Sequence, residues 1–337
     1  MIKKLGFLFL LLLIPSSASA ANFLAEKGSL VKFQTDSRVF FVSNEQGGLE
    51  WVQTEAEFKK RGFQFSQVKT LSDAELSNYN FLAAAPVDEP QTVTPSVTNK
   101  DGALVVVIDD GTVVANEGAD QIWSLASISK LMTAIVLNEM NLNWNAAVVQ
   151  SKADEVGGSR LRVAVGSKYR RTDLLHASLM GSANNSTHAL ARTSGITMPQ
   201  FIARMNAKAK QLGMKNTHFV EPTGLSEKNV STARDIAILV EAANKIPRIS
   251  AIGKKNSYTL TSVAKKPKTH TIKTTNKLLL AGENVSLGKT GFIDESRYNF
   301  TVVGQSPAGG SRTVVVLNAP SSETSFKLAK AYLHLEK

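Results

Sequence analysis

Apolar positions in residues 99–337 follow two spacings, one typical of strands and one typical of helices. An apolar run at 103–108 is followed by a turn signal at 109–111 and a second run at 112–115, which predicts a β-hairpin. From 127 to 140 apolar residues recur every three or four positions, which predicts a helix. The same patterns predict further helices at 172–181, 198–212, 233–243 and 322–335, and strands at 299–303 and 313–318.

The order of these elements predicts an α+β fold for residues 99–337. A hairpin comes before the helices, and two strands and a last helix follow them. This order favours an antiparallel sheet flanked by helices, with a mainly helical subdomain inserted in the middle.

Residues 21–82 carry a different pattern, which predicts a small β-rich module. Short apolar runs at 29–33 and 39–42 alternate with turn signals, and a short helix is predicted at 54–61. Residues 83–98 contain three prolines and no periodicity, which predicts an extended linker. Its segments, such as "GSLVKF" and "VFFV", resemble short modules of bacterial surface and wall-associated proteins. The resemblance implies a unit that docks on the cell wall or on a partner, and a spacer is the alternative.

The first twenty residues have the three parts of a secretory signal. Lys3 and Lys4 precede an apolar run at 5–14, and small residues at 18–20 provide a cleavage site. The apolar run is short for a membrane span, although retention as an uncleaved anchor is the alternative. We therefore expect export to a periplasm or to the cell exterior, and we do not expect nucleic acid as a partner.

Charge and composition narrow the choice of chemistry. The 337 residues carry 39 Lys and Arg against 28 Asp and Glu, a net charge of +11. Residues 96–337 hold the excess, with 30 basic and 18 acidic residues, and lysines cluster at 254–255 and 265–268. This cluster either suits an anionic partner or is a solvated lysine loop. Cysteine is absent and the five histidines lack metal-ligand spacing, so we expect no metal and no cofactor.

Ser127 and Lys130 lie three residues apart at the start of the predicted helix at 127–140. Residues at this spacing share a helix face, so the lysine amine can take the proton of the serine hydroxyl. The same S-x-x-K spacing occurs elsewhere in the chain, for example at 29–32, 66–69 and 262–265, so alone it is compatible with two surface residues. Only Ser127 opens a long apolar helix.

Two further motifs follow along the chain. Ser-Ala-Asn at 182–184 is expected on a loop between helices, where a hydroxyl can relay a proton and an amide can bind a peptide. Lys-Thr-Gly at 289–291 lies just before the predicted strand at 299–303, where it can line a cleft and bind a carboxylate. Each motif alone is also explained as an ordinary cap, turn or strand end.

Taken in this order, the three motifs resemble the set found in penicillin-binding proteins and class A β-lactamases. Over residues 100–337 the sequence is most similar to the D-alanyl-D-alanine carboxypeptidases and endopeptidases, in segments such as "WSLASISKLMTAIVLNEM", "LLHASLMGSANNSTHALAR" and "GKTGFIDESRYNF". The resemblance implies the β-lactamase/DD-peptidase fold. It also implies an exported serine peptidase that cleaves peptidoglycan stem peptides and that β-lactam antibiotics inhibit covalently.

The resemblance further implies which residues act on the scissile bond. Ser127 would be the acylated nucleophile and Lys130 its general base, while Ser182 would pass a proton to the leaving group. The backbone N–H groups of Ser127 and Phe292 would form the oxyanion hole.

A second set of residues would hold the substrate. By the same resemblance, Asn184 would bind the peptide, and Lys289 and Thr290, beside Gly291, would hold the terminal carboxylate. Arg297 is a further carboxylate candidate, or equally a solvated surface arginine.

Two other functions stay open at the sequence level, namely a class A β-lactamase and a non-catalytic wall-binding protein. Glu221 is the one glutamate in a plausible middle loop for deacylation, but its E-P-T-G-L context differs from the E-x-x-L-N pattern of β-lactamases. Relatives commonly have Asn at that position, and Gly, Asp or Glu at the position of Ala183. The sequence separates neither carboxypeptidase from endopeptidase nor one stem-peptide third residue from another.

Overall fold

The protein is described by a computed structural model over residues 24–34, 36–52, 55–72, 75, 79–81 and 102–335. The predicted signal at 1–20 and the predicted linker at 83–98 lie outside these residues. The chain divides into two compact units, Met1–Asp88 and Glu89–Lys337. Within the described ranges, no helix is both long and apolar enough to cross a membrane.

A small sheet of order β4-β1-β2-β3-β5 dominates the first unit. Successive residues of β1 face opposite sides of the sheet, so Val31 packs with Phe40 on one face while Leu30 packs with Phe58 on the other. The predicted strands and the short helix are present. The elements are β1 (Leu30–Phe33), β2 (Asp36–Val42), β3 (Gly48–Trp51), α1 (Glu55–Lys60), β4 (Val68–Leu71) and β5 (Asn80–Phe81).

A five-stranded antiparallel sheet of order β14-β15-β16-β6-β7 is the centre of the second unit. Alternate residues of its central strand enter two cores, with Val314 and Val316 on one face and Val315 and Leu317 on the other. The predicted hairpin and the two predicted C-terminal strands are confirmed. The strands are β6 (Leu104–Asp109), β7 (Thr112–Glu117), β14 (Val285–Ile293), β15 (Arg297–Gln305) and β16 (Ser311–Ala319).

Helices cover both faces of this sheet, which confirms the predicted α+β fold class. The C-terminal helix packs its apolar side, including Phe326 and Tyr332, against one face. The mainly helical part packs against the other face, where Leu131, Phe201 and Ile236 belong to one core. The helices are α2 (Ser129–Glu139), α3 (Arg171–Met180), α4 (Asn184–Arg192), α5 (Met198–Gln211), α6 (Ala233–Asn244), α7 (Pro247–Gly253), α8 (Lys277–Leu280) and α9 (Ser322–Leu333).

Three two-stranded pairs complete the second unit. The pair β12–β13 projects Lys265, Lys266 and Lys268 from its connecting loop, where all three are exposed. The pairs are β8 (Trp123–Ser124) with β11 (Val230–Ser231), β9 (Ala147–Val149) with β10 (Lys168–Arg170), and β12 (Ser257–Thr261) with β13 (Thr269–Lys273).

The sequence interpretation missed α4 and β14, and both bear on the candidate site. Asn184 begins α4 instead of lying on a loop, because burial of this polar segment outweighs its weak helix propensity. Lys289, Thr290 and Gly291 lie inside β14 and not just before a strand pair. Two glycines, at 288 and 291, weakened the strand pattern there.

Candidate active site

Ser127 lies on a single 3₁₀ turn, Ala126–Ile128, that leads directly into α2. The predicted helix thus starts with a tighter turn, and the α-helix proper begins two residues after Ser127. Ala126 has a φ of +46°, a left-handed conformation that is unusual for a residue with a Cβ. Backbone strain of this kind needs surrounding structure to hold it and is common at functional sites.

Lys130 reaches back along the turn to Ser127, with its Nζ 2.7 Å from the serine Oγ. The lysine is completely buried. Its Nζ also donates to the side-chain oxygen of Asn184 at 2.6 Å and to the backbone oxygen of Thr223 at 2.5 Å. A neutral amine has two N–H groups and one lone pair, so the two carbonyl acceptors leave the lone pair for the hydroxyl proton of Ser127.

Burial also changes the acidity of this lysine. Removal from water disfavours the ammonium form and lowers the pKa of Lys130 to about 7, against a smaller opposing effect of the Glu221 charge. A substantial share of the amine is therefore neutral near neutral pH. This arrangement satisfies the geometry and the acidity that a general base for Ser127 requires.

A second buried lysine lies beside the first. Lys289 on β14 donates to the hydroxyl oxygen of Ser182 at 2.9 Å and to the backbone oxygen of Thr290 at 2.7 Å. Burial and the nearby charge of Lys130 together hold the pKa of Lys289 well below its usual value. Ser182 itself has a φ of +55°, which places the hydroxyl in a fixed, strained turn before α4.

The strand β14 runs against the turn that carries Ser127. A Cβ on Gly291 would lie only 2.8 Å from the backbone oxygen of Leu125, so the close approach requires glycine at this position. Phe292 follows Gly291 and is half exposed, with its ring 4.4 Å from that of Tyr298. Since β14 is the edge strand of the sheet, one row of its backbone groups faces away from β15.

The structure connects six of the nine predicted site residues through direct contacts. Hydrogen bonds link Lys130 to Ser127 and Asn184, and Lys289 to Ser182 and Thr290. The contact of Gly291 with the turn at Leu125 and the exposed side chain of Phe292 place these two beside the cluster. Arg297 stands apart among the described contacts, because its guanidinium donates to the side chain of Asn318.

Three residues that the motif search did not single out also belong to this cluster. Thr223 supplies the second carbonyl acceptor of Lys130, and Thr275 hydrogen-bonds the Thr290 hydroxyl at 2.9 Å. Gly157 accepts from the Asn184 amide at 2.9 Å. Two of these contacts are made by backbone oxygens, which every residue type carries, so the sequence holds no signal for them.

Known proteins are similar to the second unit of this chain. A family model described as D-alanyl-D-alanine carboxypeptidase matches residues 89–321. A D-alanyl-D-alanine endopeptidase of Pseudomonas aeruginosa is 37% identical over 232 residues, which cover 66% of this chain and 73% of that protein. One of Escherichia coli K12 is 34% identical over 250 residues, 72% of this chain and 77% of that protein.

The solved structures give the same result. The crystal structure of the Streptomyces K15 DD-transpeptidase has a TM-score of 0.65 and 28% identity, and covers 70% of this chain and 97% of that one. This likeness supports the predicted fold of the second unit. The family match begins at residue 89 and thus lies outside the sheet of the first unit.

Proposed function

Because this chain belongs to the D-alanyl-D-alanine carboxypeptidase family, a group of serine peptidases, we propose that Ser127 is the residue acylated by its substrate. The family acts on peptidoglycan stem peptides and binds β-lactams. The observation that carries the proposal is the 2.7 Å hydrogen bond between Ser127 Oγ and the Nζ of a fully buried lysine.

In the proposed acylation step, two serine hydroxyls and two lysine amines take part. Lys130 Nζ accepts the hydroxyl proton of Ser127 while Oγ forms a bond to the carbonyl carbon of the D-alanine. The C–N bond to the next residue then breaks, and the proton moves from Lys130 through the Ser182 hydroxyl to the leaving nitrogen. Ser182 suits this relay because its oxygen accepts from Lys289, which leaves its own O–H free to donate.

Two side chains retain the capacity to hold the substrate. The Asn184 amide nitrogen has two N–H groups and donates one to Gly157, so the other is available to a peptide carbonyl. Lys289 has three N–H groups when protonated and uses two, so the third can meet a carboxylate together with the Thr290 hydroxyl. Arg297 is retained as an outer carboxylate contact, although its guanidinium is engaged with Asn318.

The backbone N–H groups of Ser127 and Phe292 would stabilise the oxyanion of the tetrahedral intermediate. Support comes from Gly291, whose contact with Leu125 brings β14 against the turn of Ser127. Deacylation reverses the first step: water gives a proton to Lys130, its oxygen bonds the ester carbon, and Ser127 Oγ leaves with a proton from the amine.

Within this reaction class, we propose cleavage of the D-alanyl–diamino-acid cross-link as the main activity. Support comes from the Pseudomonas aeruginosa and Escherichia coli relatives, both named D-alanyl-D-alanine endopeptidase. Purified muropeptide dimers incubated with the enzyme should be converted to monomers. Ser127→Ala is the matched control and should leave the dimers intact.

The two possible reactions give different products in this digestion. Loss of one D-alanine from a pentapeptide monomer, with dimers unchanged, would replace the endopeptidase assignment with a carboxypeptidase one. Dimer cleavage by Ser127→Ala at the wild-type rate would contradict the nucleophile itself.

The class A β-lactamase alternative loses its main support at Glu221. The carboxylate of Glu221 accepts hydrogen bonds from the backbone of Thr223 and Gly224 and from the Asn229 side chain, all within its own loop. A deacylating glutamate must instead accept a proton from a water that faces the acyl ester. Slow turnover of nitrocefin by the wild type is expected, and rapid turnover that Glu221→Gln abolishes would favour the β-lactamase.

The first unit is proposed to dock the enzyme on the cell wall after export directed by residues 1–20. Enzymes of this family are typically exported cell-wall enzymes. Support for docking comes from Phe65, which is 65% exposed and stacks on Phe58 at 4.4 Å, an arrangement that suits contact with a sugar ring. Phe65→Ala should reduce co-sedimentation with sacculi, and unchanged co-sedimentation would leave the spacer interpretation.

A further inference from the structure

Glu221 lies outside the three motifs, yet its carboxylate organises a turn that touches the catalytic lysine. One carboxylate oxygen accepts from the backbone N–H and the hydroxyl of Thr223, at 2.7 and 2.5 Å. The other accepts from the backbone N–H of Gly224 at 2.5 Å and from the Asn229 amide at 3.0 Å. A carboxylate with this many donors is held firmly in one position.

The turn is anchored to α2 at two further points. Asn229 is fully buried, and its amide also donates to the Ser129 hydroxyl at 3.0 Å. Thr133, one helical turn after Lys130, donates its hydroxyl to the backbone oxygen of Pro222 at 2.6 Å. These bonds hold residues 221–229 in register with the helix that carries Lys130.

Two contacts connect the 221–224 turn to the reacting atoms. The Thr223 backbone oxygen accepts from Lys130 Nζ at 2.5 Å, and so fixes one of the two N–H groups that aim the amine at Ser127. Gly224, with a φ of +84°, lies so close to the turn of Ser127 that a Cβ would stand 1.8 Å from the Ala126 oxygen. A change in the 221–224 turn would therefore displace the amine and the nucleophile together.

The charges around Lys130 have opposite signs. Among the described residues, Glu221 faces it from the 221–229 loop as the negative group, and Lys289 faces it from β14 as a second positive group. The acceptors from α4 and from Thr223 are neutral. Glu221 raises the pKa of Lys130, in opposition to the larger lowering caused by burial.

We propose that Glu221 is a positioning residue for Lys130: its carboxylate shapes the turn whose carbonyl holds the amine, and its charge stabilises the protonated amine during proton transfer. The inference rests on the proposed function, since it concerns the base of that reaction. Glu221 contacts neither Ser127 nor Lys130 by a direct hydrogen bond among the described residues, so its effect passes through Thr223 and through the electric field.

The test is the pH dependence of acylation by a fluorescent penicillin, measured with the full chain of the wild type and of Glu221→Gln. Only the neutral amine accepts the Ser127 proton, so the rate rises as the pH passes the pKa of Lys130. Loss of the negative charge lowers that pKa. The acid limb, which is the part of the pH–rate profile where the rate rises with pH, should therefore move to lower pH by about one unit. The plateau rate should fall about tenfold because the turn is less well held.

Two further variants separate charge from geometry. Glu221→Asp keeps the charge but shortens the side chain, so the plateau should fall while the acid limb stays within about 0.3 pH units of the wild type. Glu227→Gln removes an exposed charge from the same loop and should match the wild type in both measurements. If Glu221→Gln does not fold, the Asp variant carries the test, and a wild-type plateau or a shifted limb in it contradicts the inference.

The outcomes distinguish this inference from the function on which it rests. A wild-type enzyme that forms no Ser127 adduct contradicts the proposed function. A wild-type enzyme that is acylated, together with a Glu221→Gln variant whose acid limb is unmoved, contradicts only the role of Glu221.

Discussion

At the scale of single residues, the site depends on how two lysines are kept in a buried space. Each has hydrogen-bond acceptors for its N–H groups, and burial lowers the pKa of both. The pKa of Lys130 is lowered to about 7. The pKa of Lys289 is lowered by burial and, in addition, by the nearby charge of Lys130. A substrate carboxylate at Lys289 would offset this repulsion, so the pair is suited to bind an anionic chain end before the chemistry begins.

The pKa of Lys130 predicts the pH dependence of the wild-type enzyme. The active form is the neutral amine, so the acylation rate constant should fall as the pH drops through about 7 and be independent of pH above it. The measurement is acylation by a fluorescent penicillin between pH 5 and 9. A rate constant that does not vary over this range would contradict the assignment of Lys130 as the base.

Substitution of Lys130 is a second test of its assignment as the base. Lys130→Arg keeps a positive charge that does not dissociate in this pH range, so it should acylate about a thousandfold more slowly than the wild type. Lys152→Arg, on an exposed lysine, is the control and should be unchanged. Near-wild-type acylation by Lys130→Arg in a folded protein would show that another group takes the proton.

At the scale of secondary-structure elements, the position of Ser127 depends on how closely β14 and the 221–229 loop approach its turn. Both approaches are made by glycine, at 291 and at 224. The loop approaches the backbone of Ala126 and Ser127, and the strand approaches the backbone oxygen of Leu125 and the Cβ of Ala126. Small displacements of either element should therefore change the position of Ser127 directly.

Gly224→Ala tests this packing. The new Cβ would overlap the Ala126 oxygen, so both the left-handed φ and the clash should cost stability, about 3 kcal/mol or more in the free energy of unfolding. The variant should also lose acylation at temperatures where it remains folded. The measurements are urea unfolding and the penicillin adduct.

Gly213→Ala is the matched control for the backbone conformation. Gly213 has a φ of +81°, but a Cβ there would have no atom within 4 Å. It should lose only about 1 kcal/mol and acylate normally. Equal losses of stability and activity in the two variants would contradict a specific role of the Gly224 contact.

Sequence patterns predict the elements with strong apolar periodicity and miss those defined by their neighbours. The helices α2, α3, α5, α6 and α9 and the strands β6, β7, β15 and β16 lie close to the predicted positions. The polar helix α4 was missed because its burial comes from tertiary packing, which a single sequence does not reveal. In the same way, the motifs predict Ser127 and Lys130, but the carbonyl of Thr223 leaves no sequence signal.

At the scale of the whole molecule, positive charge is concentrated in one stretch of the second unit. Residues 242–282 contain nine Lys and Arg and no Asp or Glu. This stretch includes α7, the β12–β13 pair and α8, and it meets the site where Thr275 bonds Thr290. A surface of this kind should attract an anionic polymer that surrounds the stem peptides.

Neutralising part of this surface should affect polymeric and short substrates differently. A triple variant with Gln at Lys265, Lys266 and Lys268 should digest sacculi several-fold more slowly at low salt, while its rate on a short soluble peptide stays unchanged. The difference from the wild type should shrink as salt is added, because salt screens exposed charges.

The control for this experiment removes the same number of charges from a different element. Arg204, Lys210 and Lys215 are exposed on and just after α5, and their replacement by Gln should leave sacculus digestion close to that of the wild type. Equal effects of the two triple variants would point to net charge alone and contradict a specific basic surface.

The most direct test of the central claim is the mass of the enzyme after incubation with a labelled penicillin, followed by peptide mapping. One adduct per chain is expected, on the peptide that contains Ser127, and none on a folded Ser127→Ala variant. The absence of an adduct on the wild type, or an adduct that persists in Ser127→Ala, would contradict it.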